Sequence, residues 1–346
     1  MARIDVTIMG AGIFGLSIAW ICARRGVRVR IIDPRGPGGG ASGGLVGALA
    51  PHTPENWNAK KAFQFESLIM AEQFWSDVDA ASGLNSGYGR TGRLQPIQDK
   101  RTLELAQARA VSAAELWEGK ASWKVRPARD FGDWSPPSVT GFLIQDSLTA
   151  RIDPKRACDS LASALTALGV DLQTDAAIEG KVVWATGYEG LLALSKELKR
   201  PVGNGVKGQA ALLRYEARAA PQLFADNVHI VPHDNGTLAV GSTSEREFEL
   251  PDTADHQLDT VLARAVAVCP MLRDASVLSR WAGVRPRAKS RAPMLGAYPG
   301  RDGQYVANGG FKIGFGMAPK VAEVMADLVL EARDTIPDEF RVEANF

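Results

Sequence analysis

Hydrophobic patterning is clearest at the start of the chain. Val6–Met9 is an unbroken apolar run, Gly10-Ala11-Gly12-Ile13-Phe14-Gly15 interrupts it, and a helical pattern follows. A second β-rich run over residues 27–32 ends on Asp33, so the pattern predicts strand, helix, strand. Residues 59–80 read as a helix with Phe63, Ile69 and Trp75 among its apolar positions, closed by Gly83. Residues 92–97 predict a short strand and 100–117 a more polar helix, whereas 122–137 are expected to be irregular. A strand returns at 141–146. Asp153 then suits an N-cap, Pro154 a first helical turn and Gly169 the stop. Strands follow at 170–172 and 182–187. Beyond them the sheet type changes: 209–215 and 228–242 read as antiparallel strands, with Asp234-Asn235-Gly236 as a hairpin turn. A helix over 255–268 comes next. Residues 305–316 form a strand and then a glycine loop, and a last helix is expected from near Pro319, with Val321, Val324, Met325 and Leu328 on its buried side.

These elements imply an α/β fold: a parallel, Rossmann-like domain assembled from separated segments and interleaved with a smaller antiparallel-sheet domain. The expected divisions are 1–89, 141–208 and 279–346 for the first domain, and 90–140 and 209–278 for the second. The length of 346 residues is ample for both. With 40 basic against 39 acidic residues, no long-range field favours nucleic acid or anionic lipid. The opening apolar run is too short for a signal-peptide core or a membrane span, so a cytoplasmic location without an integral membrane segment is expected. Cys22, Cys158 and Cys269 lack paired or metal-ligand spacing and read as small core residues. The four histidines are scattered and suggest no metal site.

Strand, glycine turn, helix, strand and acid is the order a dinucleotide-binding βαβ unit requires. Gly10 permits the tight turn, Gly12 lets a pyrophosphate approach the backbone, and Gly15 lets the helix sit close on the strands. The helix N-terminus offers free N–H groups and a partial positive charge to the phosphates. Asp33 can take the hydroxyls of an adenosine ribose. The glycine-rich stretch after Asp33 returns at once to apolar Leu45-Val46 and Ala48-Leu49, as a flexible linker would not. It is expected to lay backbone amides and the Ser42 hydroxyl along a phosphate and a flat ring. Ala185-Thr186-Gly187 puts small residues at the C-terminal edge of the parallel sheet, where a cofactor crosses.

Taken in order, GAGIFG with Asp33, GGASGGLVGAL, KVVWATG, HIVPHDNGTLAVGST, WAGVRPRAKSRAPMLG and NGGFKIGFGMAP make the chain resemble the D-amino-acid oxidase family of FAD-dependent oxidoreductases. The likeness covers nearly the whole length and is strongest to the glycine oxidase and D-amino-acid dehydrogenase branch. It implies a GR2-type FAD domain with the cofactor extended, its ADP portion on Gly10, Gly12, Ile13, Phe14, Gly15, Asp33 and Pro34. The isoalloxazine ring would be wedged between two loops. One carries Ala41, Ser42, Val46, Gly47 and Ala48; the other carries Gly310, Phe311, Lys312, Ile313, Gly314, Phe315 and Gly316. Ala177, Ala185, Thr186 and Gly187 complete the implied contacts. Arg285, in the motif WAGVRP, is implied to bind the substrate carboxylate, and a planar guanidinium suits that task because it pairs bidentately. Lys312 falls where the branch carries an arginine near flavin and substrate, and His229 where a substrate-contacting tyrosine is expected. The β-meander that usually precedes the ATG strand is compressed between Leu172 and Lys181. Relatives with covalent flavin use a cysteine near the carboxylate-binding motif; no cysteine here is near Arg285 in sequence, so non-covalent FAD is expected.

The implied reaction is oxidation of a small amino acid or N-substituted amino acid at the carbon bearing the amine. Hydride leaves to flavin N5, water hydrolyses the imine to a keto acid, and oxygen or a quinone takes the electrons. No general base is needed if the amine binds neutral, because positioning carries most of the catalysis. Arg285 would orient the substrate. Lys312 would hold the carboxylate or stabilise negative charge on the reduced ring, and His229 would touch the amine or fill space. Two other readings remain open, as does a homo-oligomer. GASGGLVGAL is similar to the FAD domain of the bifunctional tRNA wobble-uridine modifying enzyme, which oxidises a carboxymethylaminomethyl group, although the near-neutral charge disfavours tRNA. Some relatives of the fold are assembly factors that bind FAD without known turnover; retention of Arg285 and Lys312 weighs against that role.

Overall fold

The structure is a computed structural model that describes residues 3–346. The opening motif folds as strand β1 (Val6–Met9), helix α1 (Ile13–Arg24) and strand β2 (Val29–Ile32), with Val6 opposite Val29 and Met9 opposite Ile32 in parallel register. Leu16, Ile18, Ala19 and Cys22 of α1 have no solvent exposure. A helix packed on several sides has no need of a single apolar stripe. One neighbour of α1 is the C-terminal helix Gly314–Glu331.

β1 lies inside a six-stranded sheet ordered Met294–Ala297, Gln304–Asn308, Lys181–Trp184, β1, β2, Asp171–Gln173. Every neighbouring pair is parallel except the first. The strand ends Met9, Ile32 and Trp184 therefore share one edge, from which the loops of the site depart.

A second sheet has eight strands, ordered Val277–Ala288, Gly203–Arg214, Thr237–Gly241, Val228–Pro232, Gln222–Ala225, Arg93–Pro96, Phe142–Asp146 and Trp123–Pro127. Its first two strands pair without a break from Gly203 opposite Ala288 to Leu212 opposite Ser279. Sheet membership differs from the expected divisions here. Phe142–Asp146, the start of Gly203–Arg214 and nearly all of Val277–Ala288 lie in this sheet rather than the parallel one.

Three local expectations need correction. Residues 122–137 contain the edge strand Trp123–Pro127 and a 3-10 segment, Ala128–Trp134; the strand buries only Trp123, so its pattern is faint. Gly187–Glu197 is a helix that the sequence reading did not include. The last helix starts at Gly314 and holds Pro319 inside it. Gly316 is no loop breaker: it lies inside this helix, and a Cβ there would make a tight contact with Leu68 at 3.3 Å. No helix among the described residues is long and apolar enough to cross a membrane.

Candidate active site

A cavity of about 1110 Å³ follows the C-terminal edge of the parallel sheet and continues onto the face of the eight-stranded one. It exceeds the ~300–1,000 Å³ of most small-molecule sites, which leaves room for an extended dinucleotide. The expected cofactor residues line it, from Gly10, Gly12 and Asp33 through Ser42 and Thr186 to Gly310 and Gly316, with three exceptions. Gly15 lies beneath the turn, where an added Cβ would sit 1.9 Å from the Gly10 carbonyl oxygen. Ile313 is the N-cap of the last helix. Ala177 is exposed outside the cavity, its carbonyl accepting from Arg30 Nη1 at 2.9 Å.

The residues present fit the ADP portion of FAD. Gly10 has φ 109°, and a Cβ there would meet the Ala185 carbonyl oxygen at 2.4 Å, so only glycine makes this turn. Asp33 braces it: Oδ2 accepts from the Ala11 N–H at 2.8 Å and Oδ1 from the Arg35 N–H at 2.9 Å. Each oxygen keeps capacity for a ligand hydroxyl. Ser42 Oγ accepts from the Ile13 N–H at 3.0 Å and tethers the glycine-rich loop to the start of α1. The first-turn N–H groups of a helix lack intrahelical partners and favour an anion. A second helix start, at Gly314, faces the same cavity. Arg35 and Glu189 pair at 2.9 Å beside the ADP end.

The opposite end is built on cross-strand register. Phe224, His229, Gly241, Ala210 and Trp281 stand opposite one another across five adjacent strands. Trp281, Gly283 and Arg285 alternate along one strand and so share a face. The Arg285 guanidinium lies on Gly208, where a Cβ would be 2.0 Å from Nη2 and 2.2 Å from Cζ. Its Nη2 donates to Ser242 Oγ at 2.7 Å and its Nη1 to the Thr243 carbonyl at 3.3 Å. Burial pulls Arg285 down to about 10, against the opposing pull of Glu245, and the group stays cationic at neutral pH. Lys312 stands more exposed at the cavity wall; burial, then the charges of Arg285 and Arg287, lower its pKa. Neither cation forms an ion pair among the described residues.

His229 stacks obliquely on Phe224, ring centroids 4.4 Å apart, and its Nδ1 has no hydrogen-bond partner. Burial first, then the charges of Arg93, Lys312 and Arg285, depress it to about 3, so the ring is neutral. Gly208 and Ser242 escaped the sequence reading. A glycine inside the β-pattern VKGQAALL was the available signal for Gly208, since strand glycines mark close approach. Ser242 gave none. All three cysteines are buried, burial pushing Cys22 and Cys158 up to about 12, and none lines the cavity.

Comparison with known proteins agrees with this geometry. Residues 5–328 match the DAO family, described as FAD dependent oxidoreductase. The bifunctional protein ThiO/ThiG of Nostoc sp. (strain PCC 7120) is 27% identical over 95% of the chain, which spans 53% of that protein, about half its length. The glycine oxidase of Pseudomonas putida (strain KT2440) is 27% identical, covering 96% of each chain. Among solved structures, glycine oxidase from Geobacillus kaustophilus shares the fold with a TM-score of 0.86, at 20% identity and 99% coverage of both chains. A glycine-turn cradle that fits FAD, the matching fold and the family match over most of the length lead to one conclusion: this chain belongs to the DAO family of FAD dependent oxidoreductases.

Proposed function

We propose that the protein oxidises a small amino acid or N-substituted amino acid at the carbon bearing the amine. Arg285 carries this reading: a half-buried guanidinium on the cavity wall, held by neutral acceptors on one side and without a carboxylate of its own. The glycine oxidase relative supports an amino acid as the substrate class. FAD, when bound, supplies the electron acceptor for loss of hydrogen from that carbon, and water hydrolyses the resulting imine to a keto acid.

The protein's own contribution is placement. Ser242 and the Thr243 carbonyl occupy part of the Arg285 donor set and fix the plane of the guanidinium, leaving further N–H groups for a carboxylate. Phe224 and Trp281 wall the space beside it. His229, neutral at physiological pH and stacked on Phe224, lines this end of the cavity without adding a cation. In this reading the parallel sheet carries the cofactor and the eight-stranded sheet the substrate.

Anaerobic mixing of the FAD-loaded protein with a panel of amino acids tests the proposal: bleaching of the flavin absorbance is expected. With a substrate so found, Arg285→Ala should raise KM by about 100-fold or more, as loss of a bidentate charged contact does. An unchanged KM would remove Arg285 from substrate binding.

A further inference from the structure

We propose that the preferred substrate is a dianion, an amino acid or N-substituted amino acid with a second carboxylate, Arg285 holding one carboxylate and Lys312 the other. The inference rests on the amine-oxidation reading above and narrows it to a substrate class.

Charge along the cavity is segregated. The carboxylates that line it are Asp33, Glu189 and Asp252, and none of them pairs with Arg285 or Lys312. Asp33 holds the Ala11 and Arg35 amides, and Glu189 pairs with Arg35. Asp252 lies by Tyr188, whose hydroxyl is raised by burial and then by Glu189, with Asp252 a smaller contributor. The other end is cationic. Arg285 and Lys312 line it, and Arg287 lies close behind, its Cζ 5.6 Å and Lys312 Nζ 5.7 Å from the Phe311 ring centroid. None of the three has a carboxylate partner among the described residues, and His229 adds no charge.

A zwitterionic amino acid brings this end no net charge, and a monocarboxylate with a neutral amine brings one negative charge. Either leaves a cation uncompensated beside another, which is unfavourable in a partly desolvated cavity. Arg285 satisfies a single carboxylate bidentately by itself. Lys312 is a mobile point charge with three rotatable donors, suited to a second carboxylate set at varying reach. The same positive surplus disfavours substrates with basic side chains.

Two measurements on the FAD-loaded protein decide the matter. In the first, malonate and succinate are titrated against acetate and propionate, with binding read from perturbation of the flavin spectrum. The dianions should bind about 10- to 100-fold more tightly, the range for one charge-assisted hydrogen bond; equal affinities would overturn the inference. In the second, anaerobic bleaching and kcat/KM compare D-aspartate, D-glutamate and N-(carboxymethyl)glycine with glycine, sarcosine and D-alanine. Preference for the monocarboxylates would sink the dianion inference while amine oxidation stands. No bleaching by either group would remove amine oxidation, whatever the anion titration shows. Lys312→Gln should abolish the preference for the second carboxylate, and Lys312→Arg should preserve it. A uniform loss across both groups would assign Lys312 to the first carboxylate or to the flavin instead.

Discussion

A guanidinium resting on a strand glycine tolerates no added methyl group. In Gly208→Ala the new Cβ would overlap Arg285 and turn its plane away from the cavity. Misplacing a substrate-orienting group by about 1 Å costs on the order of 100-fold, so kcat/KM should fall by that factor while circular dichroism stays native. Ser242→Ala removes one neutral acceptor and should cost less. His229 makes a different kind of prediction. Its folded pKa of about 3 lies below the ordinary 6.5, so between those values the unfolded chain binds a proton that the folded chain does not. Stability should therefore fall as pH drops through that window and owe nothing to His229 above it. Melting temperatures measured from about pH 7 down to about pH 4 should decline less for His229→Asn than for the native chain, if the ring stays neutral when folded. At this scale the sequence was readable wherever chemistry is local. Gly10, Gly12 and Asp33 lie in a short stretch and declare their purpose together, whereas Arg285 and His229 were legible only through family resemblance. Gly208 has its reason in a side chain from a distant stretch of the chain, which no local pattern contains.

Among the elements, caps and turns were legible because each states its own boundary. Asp153 accepts from the Arg156 amide one turn on, Gly83 takes φ 68°, and the hairpin at Asp234-Asn235-Gly236 forms between paired strands. Elements whose glycines serve packing were harder to read. Gly203, Gly205 and Gly208 disguise a twelve-residue strand, and Gly314 and Gly316 disguise the first turn of a helix. The turn between β1 and α1 is where one substitution should separate folding from cofactor loading. Gly10→Ala forces both a strained φ and a contact with the Ala185 carbonyl, costing on the order of 1–3 kcal/mol and narrowing the phosphate cradle. The purified variant should be colourless or nearly so, with far less FAD per chain than the native protein by absorbance.

For the molecule as a whole, the two sheets are joined through the site they enclose. The strand carrying Arg285 is stitched to the flavin-side loop, the Phe311 N–H donating to the Pro286 carbonyl at 3.0 Å and Arg287 bridging to Gly310. Behind Arg285, buried Lys207 and Glu245 lie 3.6 Å apart, and Gln209 Nε2 donates to Glu245 at 3.1 Å. Removing the charge of Glu245 leaves Lys207 with only half-exposed Asp255, at 3.7 Å. Glu245→Gln should cost about 3–5 kcal/mol in urea unfolding, as breaking a buried pair does. Glu189→Gln, which breaks the exposed pair with Arg35, should change the midpoint little.

That stitching turns the backbone into a caliper set at one opening. The gap between Arg285 and the loop at Gly310 is dictated by strand register, not by a hinge. On the amine-oxidation proposal, a molecule whose amine-bearing carbon is adjacent to its acid group should reach the jaws, and a homologue with one extra methylene between them should overshoot, however tightly it is held.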